Sequence, residues 1–284
     1  MNNNNDNEVF TLWCQSKLDD FTILSIKSWL TVGYKVKLYS YESIDKSSRI
    51  IFEGQDVEFL NANHILQESM VTSCEHYANI ADYFRFSRLE QEGGIWLDSD
   101  LVLLKRLPNS AIIISSERCK AIGAFVPKNR DKTPNIGCLK FPPLHPLISY
   151  TVTQIEKRLL VGTKEVNNNN NSLMKIFQRR VVKFKHIYWN HVTEPNVYCP
   201  INWSYVKEMY HKPDLVIDPL LGLKESFKFG MVQYPINDIL ERSVGIHLWR
   251  NIYNNKGYNE TITPDCVFNR IKKLVELNYE TKKN

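Results

Sequence analysis

Two aspartates interrupt an apolar run in the segment GGIWLDSDLVLL, residues 93–104. The run predicts a buried strand, and residues i and i+2 of a strand point to the same side, so we expect Asp98 and Asp100 to project together. Adjacent carboxylates repel each other, and a divalent cation satisfies both. Oxygen ligands suit Mg²⁺ or Mn²⁺, with phosphate oxygens and water completing the coordination. Taken alone, the pair fits either a metal site or a solvated turn where a strand ends.

A second charged pair lies upstream, in the segment EHYANIADYFRFSRLEQE, residues 75–92. Its apolar residues recur at helical spacing, which predicts a helix that ends at Gly93-Gly94. Asp82 and Arg85 are three positions apart and so share one face of this helix. The alternative is an ordinary surface ion pair, worth about 0–1 kcal/mol.

The elements that must position these side chains alternate between strand and helix in the first half of the chain, which predicts an α/β fold with a parallel sheet. A helix after Asp19 or Asp20 is expected to stop at Gly33, and a final helix to start at Thr263 as N-cap, with Pro264 in its first turn. The basic segment RRVVKFKH at 179–186 is interpreted as a strand with one solvated face rather than a nucleic-acid patch. The predicted strands are 8–14, 34–41, 56–60, 95–104 and, less regularly, 111–115, 121–126 and 135–141.

Composition narrows the class of protein. The chain has 284 residues, of which 43% are hydrophobic and 24% charged, as expected for a globular protein with a proper core. A net charge of +5 mildly favours anionic partners such as nucleotides. The six cysteines lack metal-ligand spacing and are expected to be reduced. No apolar run approaches the roughly 20 residues that span a bilayer, and the N-terminus has no apolar signal region.

Residues 81–107 resemble the core signature of DXD-containing sugar transferases of glycosyltransferase family 32. That group includes α-1,4-galactosyltransferases and α-1,6-mannosyltransferases and is similar to the glucosylating domain of clostridial toxins. Looser resemblances at 10–41, 135–148 and 245–250 extend the match over most of residues 9–252. The matching positions are Ala81-Asp82, Arg85-Phe86, Leu89, Gly93-Gly94, Ile95-Trp96 and Leu97-Asp98-Ser99-Asp100.

The resemblance implies a GT-A type fold, which is Rossmann-like with a mixed, mostly parallel central sheet flanked by helices. It places a single GT-A domain at residues 8–262, with an Asn-rich surface loop near 165–172. A disordered Asn-rich tail is expected at 1–7, and a C-terminal helix and tail at 263–284. The missing membrane anchor departs from many relatives and predicts a cytoplasmic protein, in the host cytoplasm if the chain is viral.

The implied activity is transfer of a sugar from a nucleotide-diphosphate sugar to a glycan or another hydroxyl acceptor, with retention of anomeric configuration. Mn²⁺ or Mg²⁺ is the implied cofactor. A UDP-sugar is favoured as donor, with GDP-mannose as the other option, and a glycan, glycoprotein or glycolipid is the implied acceptor. Neither a nucleic-acid partner nor a membrane span is expected.

The family pattern also implies roles for individual residues. Asp82, Arg85 and Asp100 would be catalytic, and Asp98, Asp100 and His247 would hold the metal. Trp13 would stack on the base, and Arg250 and Lys256 would add positive charge on a closing loop. By its neighbours alone, His247 fits a packed core residue equally well. Trp13 by itself is more typical of a core residue, and only the resemblance makes the two interpretations even. The donor-binding set is Leu12, Trp13, Asp82, Arg85, Asp98, Asn135 and Trp249.

Two other functions compete with this hypothesis. The segment IWLDSDLVLL also fits the haloacid-dehalogenase type of phosphatase, with Asp98 as nucleophile and Asp100 as acid/base. That fold needs a later acidic pair, and no downstream acids are grouped in this way. The other alternative is a catalytically inactive protein that binds a sugar or a partner on the same fold.

Overall fold

A computed structural model of the chain describes residues 4–72, 74, 76–118, 132–161, 173–213, 215–216, 233–234, 236–255 and 262–283. The strands are β1 Glu8–Leu12, β2 Lys35–Ser40, β3 Val57–Asn61, β4 Gly94–Leu97, β5 Leu101–Leu103, β6 Ile113–Arg118, β7 Lys132–Phe141, β8 Leu215–Val216, β9 Gln233–Tyr234 and β10 Gly245–His247. The helices are α1 Asp20–Thr31, α2 Lys46–Ile50, α3 Tyr77–Glu92, α4 Pro146–Val161, α5 Leu173–Lys183, α6 Lys185–Tyr188, α7 Pro195–Tyr198, α8 Val206–His211, α9 Ile236–Arg242, α10 Arg250–Asn255 and α11 Val267–Lys283.

The central sheet has six strands in the order β3-β2-β1-β4-β7-β6. The first four strands are parallel, whereas β7 is antiparallel to both β4 and β6. Two small antiparallel pairs, β5 with β10 and β8 with β9, lie outside this sheet. The predicted fold class, a mixed and mostly parallel sheet flanked by helices, is confirmed.

Alternating side chains place one hydrophobic cluster on each face of the sheet. In β4, Ile95 joins the cluster that contains residues of α1 and α11, whereas Trp96 joins the cluster that contains residues of α3, α4 and α5. This alternation follows from the period of two in a strand. The result is a three-layered arrangement in which α3, the helix of Asp82 and Arg85, packs against the strands that lead to the two aspartates.

The predicted first helix is α1, and both its start after Asp19 and its stop before Gly33 are confirmed. The Asp19 side chain accepts a hydrogen bond of 2.8 Å from the backbone N–H of Thr22, as an N-cap does. Gly33 has a φ of +90°, which glycine adopts without strain, and the chain then enters β2.

The run 95–104, predicted as one strand, is two strands that belong to different sheets. A turn separates them, closed by a 2.9 Å hydrogen bond from the N–H of Leu101 to the carbonyl of Asp98. The chain leaves the central sheet at this turn, so that β5 pairs with β10 instead. We expected Asp98 and Asp100 to project to the same side of one extended strand. This prediction is wrong, because both residues lie in the turn between β4 and β5.

Two further predictions of local structure are wrong. Residues 179–183 belong to α5 rather than a strand, because Leu173, Ile176, Phe177 and Val181 are buried at helical spacing. The final helix starts at Val267, since residues 263–266 form a turn in which the N–H of Cys266 donates to the carbonyl of Thr263.

Other predictions fall on or near residues that are not described. The expected strand at 121–126 and the Asn-rich loop near 165–172 lie outside the described residues. Within the tail expected to be disordered, Asn4–Asn7 form a 3-10 helix, and Asp6 pairs with Lys140 at 2.9 Å. In the part of the chain that the structure covers, no helix is long and apolar enough to cross a membrane.

Candidate active site

The two aspartates lie at the carboxyl end of β4, in the turn before β5. The N–H of Asp98 donates to the carbonyl of Gly137 in β7 at 2.8 Å, and the indole N–H of Trp96 donates to Asp98 Oδ1 at 2.8 Å. The backbone and one oxygen of Asp98 are therefore anchored, and the other oxygen, Oδ2, faces His247 at 3.7 Å.

Arg85 connects the helix pair to the aspartates. Its Nη2 lies 3.1 Å from Asp82 Oδ1, and its Nη1 lies 3.0 Å from Asp98 Oδ1 and donates to the carbonyl of Ile136 at 2.7 Å. The guanidinium also lies over the ring of Trp96, 4.6 Å from its centroid. The predicted pairing of Asp82 with Arg85 is confirmed, but the two residues are only 7% and 4% exposed, so the surface ion-pair alternative is wrong.

Burial shapes the electrostatics of this pair. It raises the pKa of Asp82 to about 6, an effect that Arg85 opposes and the negative charge of Asp98 reinforces. Removing one partner of a buried ion pair leaves an uncompensated charge, which is strongly destabilising. Arg85 is therefore required to keep two carboxylates inside the protein.

His247 reaches the aspartates from β10, far along the chain. β10 pairs with β5 so that His247 lies opposite Leu101, and the N–H of Leu248 donates to the Asp100 carbonyl at 2.8 Å. His247 Nε2 lies 3.1 Å from Asp100 Oδ1. The other oxygen, Asp100 Oδ2, accepts from the backbone N–H of Arg250 at 2.8 Å.

Asp100 and His247 form a charged pair in the absence of a metal. Burial alone would raise the pKa of Asp100, but His247 and Arg250 hold that pKa well below its usual range. Burial would likewise lower the pKa of His247, but the Asp100 carboxylate holds it well above its usual range. A metal that binds His247 displaces this proton, since metals bind neutral imidazole.

The three side chains fit a small divalent cation. One ligand atom from each of Asp98, Asp100 and His247 lies within 4.8 Å of the other two. In an octahedral site with bonds of about 2.1 Å, neighbouring ligand atoms are about 3.0 Å apart. The separations of 3.1 Å and 3.7 Å from His247 Nε2 to the two carboxylates approach this spacing. The two carboxylates suit Mn²⁺ or Mg²⁺, whereas the imidazole is a ligand of transition metals and so favours Mn²⁺ over Mg²⁺.

A bulge in β7 brings the backbone of that strand to the site. Pairing between β6 and β7 shifts at Ser115, whose hydroxyl donates to the Asn135 carbonyl and accepts from the N–H of Cys138, each at 3.0 Å. The carbonyls of Ile136 and Gly137 then face Arg85 and the Asp98 backbone. Bulges are frequent next to active sites, where they redirect the strand.

Gly137 is a site residue that the sequence reasoning missed. A Cβ built there would lie 2.9 Å from Asn135 Oδ1, 3.3 Å from Asp98 Oδ2 and 3.5 Å from His247 Cε1. A side chain would therefore fill the space in which these three groups converge. The available signal was a glycine inside a strand pattern, which indicates a bulge or a close approach.

Asn135, which was predicted to bind the donor, is buried beside the cluster. Its Oδ1 accepts from the N–H of Gly137 at 2.6 Å, and its Nδ2 donates to Glu117 Oε2 at 2.9 Å. Its role in the described structure is thus to connect the bulge with Glu117. Glu117 is a second residue near the site that the sequence reasoning did not identify.

The other predicted donor-binding residues lie at the edges of this arrangement. Trp13 is buried, its indole N–H donates to the Lys17 carbonyl at 3.0 Å, and Arg250 lies over its ring at 4.7 Å. Arg250 also pairs with Asp19 at 3.1 Å. Leu12 belongs to the core cluster on the α3 face.

Trp249 packs directly on His247, with ring centroids 4.1 Å apart. Its indole N–H donates to the carbonyl of Ile201 at 2.7 Å, and its φ of 57° is unusual for a non-glycine residue. Trp249 therefore holds the imidazole ring of His247 in position through this ring contact. Lys256 lies outside the described residues.

Residues 16–119 match the family model of the glycosyltransferase sugar-binding region containing DXD motif. This stretch, about a third of the chain, is similar to the DXD region of glycosyltransferases. Asp82, Arg85, Asp98 and Asp100 all lie in it, which confirms the resemblance to DXD sugar transferases, whereas membership of family 32 in particular stays a prediction. His247 lies beyond the matched residues. No match was found among curated proteins.

Solved structures of glycosyltransferases resemble the chain at low sequence identity. PaToxG glycosyltransferase is 17% identical, with 64% of this chain and 70% of that chain covered and a TM-score of 0.47. The apo form of GlyE from Streptococcus pneumoniae is 14% identical over 99% of this chain and 63% of its own, with a TM-score of 0.49. The bacterial N-acetylglucosamine transferase NleB is 10% identical over 66% and 91%, with a TM-score of 0.39.

Proposed function

We propose that the protein is a metal-dependent glycosyltransferase that moves a hexose from a nucleoside-diphosphate sugar to a hydroxyl of a glycan, glycoprotein or glycolipid. The observation that carries the proposal is the convergence of Asp98, Asp100 and His247 at the carboxyl end of the sheet. Ligands of α/β sheets bind at this end. Retention of anomeric configuration is proposed from the family resemblance, and a UDP-sugar is favoured as donor over GDP-mannose.

The two carboxylates are arranged as preorganised metal ligands. Each has one oxygen held by the protein: Asp98 Oδ1 by Arg85 and Trp96, and Asp100 Oδ2 by the N–H of Arg250. The opposite oxygens, Asp98 Oδ2 and Asp100 Oδ1, both face His247. Ligands oriented in this way by surrounding hydrogen bonds bind a metal with less reorganisation. When bound, Mn²⁺ or Mg²⁺ would neutralise the charge that develops on the departing diphosphate.

The roles proposed for the remaining residues follow from what they contact. Asp82 keeps acceptor capacity beyond its contact with Arg85, because a carboxylate accepts about four hydrogen bonds, and so suits a sugar hydroxyl. Arg85 orients both Asp82 and Asp98. In the structure Arg250 covers a face of Trp13, so a base would stack there only after Arg250 has moved.

The contacts of Asp98 do not support the phosphatase alternative. A phosphatase of that type would place further acids beside its nucleophilic aspartate. The contacts of Asp98 in the described structure are instead with Arg85, Trp96 and His247. A catalytically inactive protein that binds a sugar or a partner would have the same fold. Hydrolysis of a nucleotide sugar distinguishes the transferase from this alternative.

The test is release of nucleoside diphosphate from UDP-glucose, UDP-galactose, UDP-N-acetylglucosamine and GDP-mannose, with and without Mn²⁺. We expect slow, Mn²⁺-dependent hydrolysis of at least one donor, and a rise in unfolding temperature with Mn²⁺ and the matching nucleotide. Asp100→Asn should abolish both effects, whereas Asp56→Asn, a change of an exposed aspartate, should leave them intact. Release of phosphate from phosphomonoesters would favour the phosphatase. The transferase proposal fails if no donor is hydrolysed and Asp100→Asn changes no binding.

A further inference from the structure

Glu117 lies beside the metal cluster through a short series of contacts. Its Oε2 accepts from Asn135 Nδ2 at 2.9 Å, and Asn135 Oδ1 accepts from the N–H of Gly137 at 2.6 Å. The Cβ position of Gly137 is in turn 3.3 Å from Asp98 Oδ2 and 3.5 Å from His247 Cε1. Asn135 and Gly137 therefore connect Glu117 with the groups that would bind the metal.

The Glu117 carboxylate has fewer donors than the aspartates of the site. Among the described residues, its hydrogen bond comes from one neutral amide, that of Asn135. Asp98, by comparison, accepts from both Arg85 and Trp96 on a single oxygen. Burial raises the pKa of the Glu117 carboxyl, and the Asn135 hydrogen bond only partly opposes this effect. Glu117 is partly exposed, and its carboxylate has acceptor positions beyond the one that Asn135 occupies.

The order of the strands indicates which part of a donor would face Glu117. Trp13 and the start of α1 follow β1, and the aspartates follow β4, its neighbour in the sheet. Glu117 lies in β6, on the opposite side of β4 from β1. If the diphosphate lies at the aspartates and the base stacks on Trp13, as the family resemblance implies, the transferred sugar would extend toward β7 and β6.

From these contacts we propose that Glu117 determines donor specificity by binding a hydroxyl of the transferred sugar, with Asn135 holding its carboxylate in position. This inference rests on the proposed function, because it assumes that a nucleotide sugar binds with its diphosphate at Asp98 and Asp100. A carboxylate and an amide together recognise sugar hydroxyls by directional hydrogen bonds. Glu117 would thus add to the contacts proposed for Asp82.

The test compares binding of each nucleotide sugar with binding of its own nucleoside diphosphate. Calorimetric titrations use UDP, GDP, UDP-glucose, UDP-galactose, UDP-N-acetylglucosamine and GDP-mannose, all with MnCl₂, against the wild type and Glu117→Gln. We expect the variant to bind the preferred nucleotide sugar about tenfold more weakly, since an interaction with a charged acceptor becomes a neutral one. Binding of the nucleoside diphosphate should stay within twofold.

Controls separate this role from a structural one. Glu194→Gln changes an exposed carboxylate, paired with Lys132 at 2.7 Å, and should leave both affinities unchanged. Thermal unfolding of Glu117→Gln should match the wild type, because glutamine keeps an oxygen acceptor for the amide of Asn135. Glu117→Ala should lose at least as much affinity for the nucleotide sugar as the glutamine variant.

Each outcome decides the inference. Equal loss of nucleotide and nucleotide-sugar affinity would mean that Glu117 only supports the metal site, and no loss at all would exclude a sugar contact; either result overturns the inference while leaving the proposed function intact. Failure of the wild type to bind any nucleotide with Mn²⁺ would overturn both.

Discussion

Replacement of Gly137 by alanine tests whether the β7 bulge positions the metal site. The backbone of Gly137 does not have a positive φ, so alanine meets no conformational strain there. Its Cβ would lie 2.9 Å from Asn135 Oδ1, whereas ordinary contacts begin at 3.4 Å. The neighbours must therefore separate by about half an ångström, the difference between these two distances.

Asn135 cannot easily supply this movement. Its Oδ1 is held by the N–H of Gly137 and its Nδ2 by Glu117, so part of the displacement passes to Asp98 and His247. Overpacking of this kind costs about 1–3 kcal/mol of unfolding free energy. Since a displacement of 1 Å in a catalytic arrangement costs about 100-fold in rate, half that displacement should reduce donor hydrolysis about tenfold.

Three measurements check this prediction: urea unfolding, thermal-shift titration with Mn²⁺, and nucleoside-diphosphate release. Gly54→Ala is the matched control, because Gly54 has a φ of +74° and no atom within 4 Å of its Cβ position. That change costs about 1 kcal/mol through backbone strain without any contact at the site. Its Mn²⁺ titration should be that of the wild type. The reasoning is refuted if Gly137→Ala hydrolyses the donor and titrates with Mn²⁺ within twofold of the wild type.

Two other substitutions test the supports of the site. Arg85→Lys should lower the unfolding free energy by about 3 kcal/mol in urea, because lysine pairs with only one of Asp82 and Asp98 and leaves the other carboxylate without its cation. A loss below about 1 kcal/mol would contradict the bridging role. Ser115→Ala removes the hydroxyl that holds the bulge and leaves the buried N–H of Cys138 without an acceptor. We therefore expect the unfolding free energy to fall by about 1–3 kcal/mol and Mn²⁺ to bind more weakly. Unchanged Mn²⁺ binding in a destabilised Ser115→Ala variant would show that the bulge does not position the metal ligands.

The part of the site that could be predicted is the part encoded by local spacing. Asp82 and Arg85 are three apart in a strongly periodic helix, and their contact follows from helix geometry. Asp98 and Asp100 interrupt an apolar run that was predicted as a single strand, with a turn at a strand end as the alternative. Their arrangement there was not predictable, because an apolar run of ten residues fits one strand as well as two strands joined by a turn.

The helix α5 shows how burial overrides a local pattern. The segment 179–186 alternates basic and apolar residues, which is typical of a half-buried strand. Leu173, Ile176 and Phe177 precede it at helical spacing and join the core against α3 and α4. These contacts decide that the segment is helical. They involve residues outside 179–186, so the pattern within those eight residues could not predict them.

The position of His247 depends on a pairing between β5 and β10, strands about 140 residues apart in the chain. β5 has three residues and β10 has three, so neither strand is stable without the other. Their pairing places His247 opposite Leu101, and the Leu248 N–H on the Asp100 carbonyl secures the register. The same register aims the Arg250 N–H at Asp100 Oδ2, so one pairing supplies both a ligand and a support for another ligand. A metal held by Asp98, Asp100 and His247 would therefore stabilise the pairing that assembles its own site, because metal-binding free energy adds to the stability of the state that contains the ligands in place.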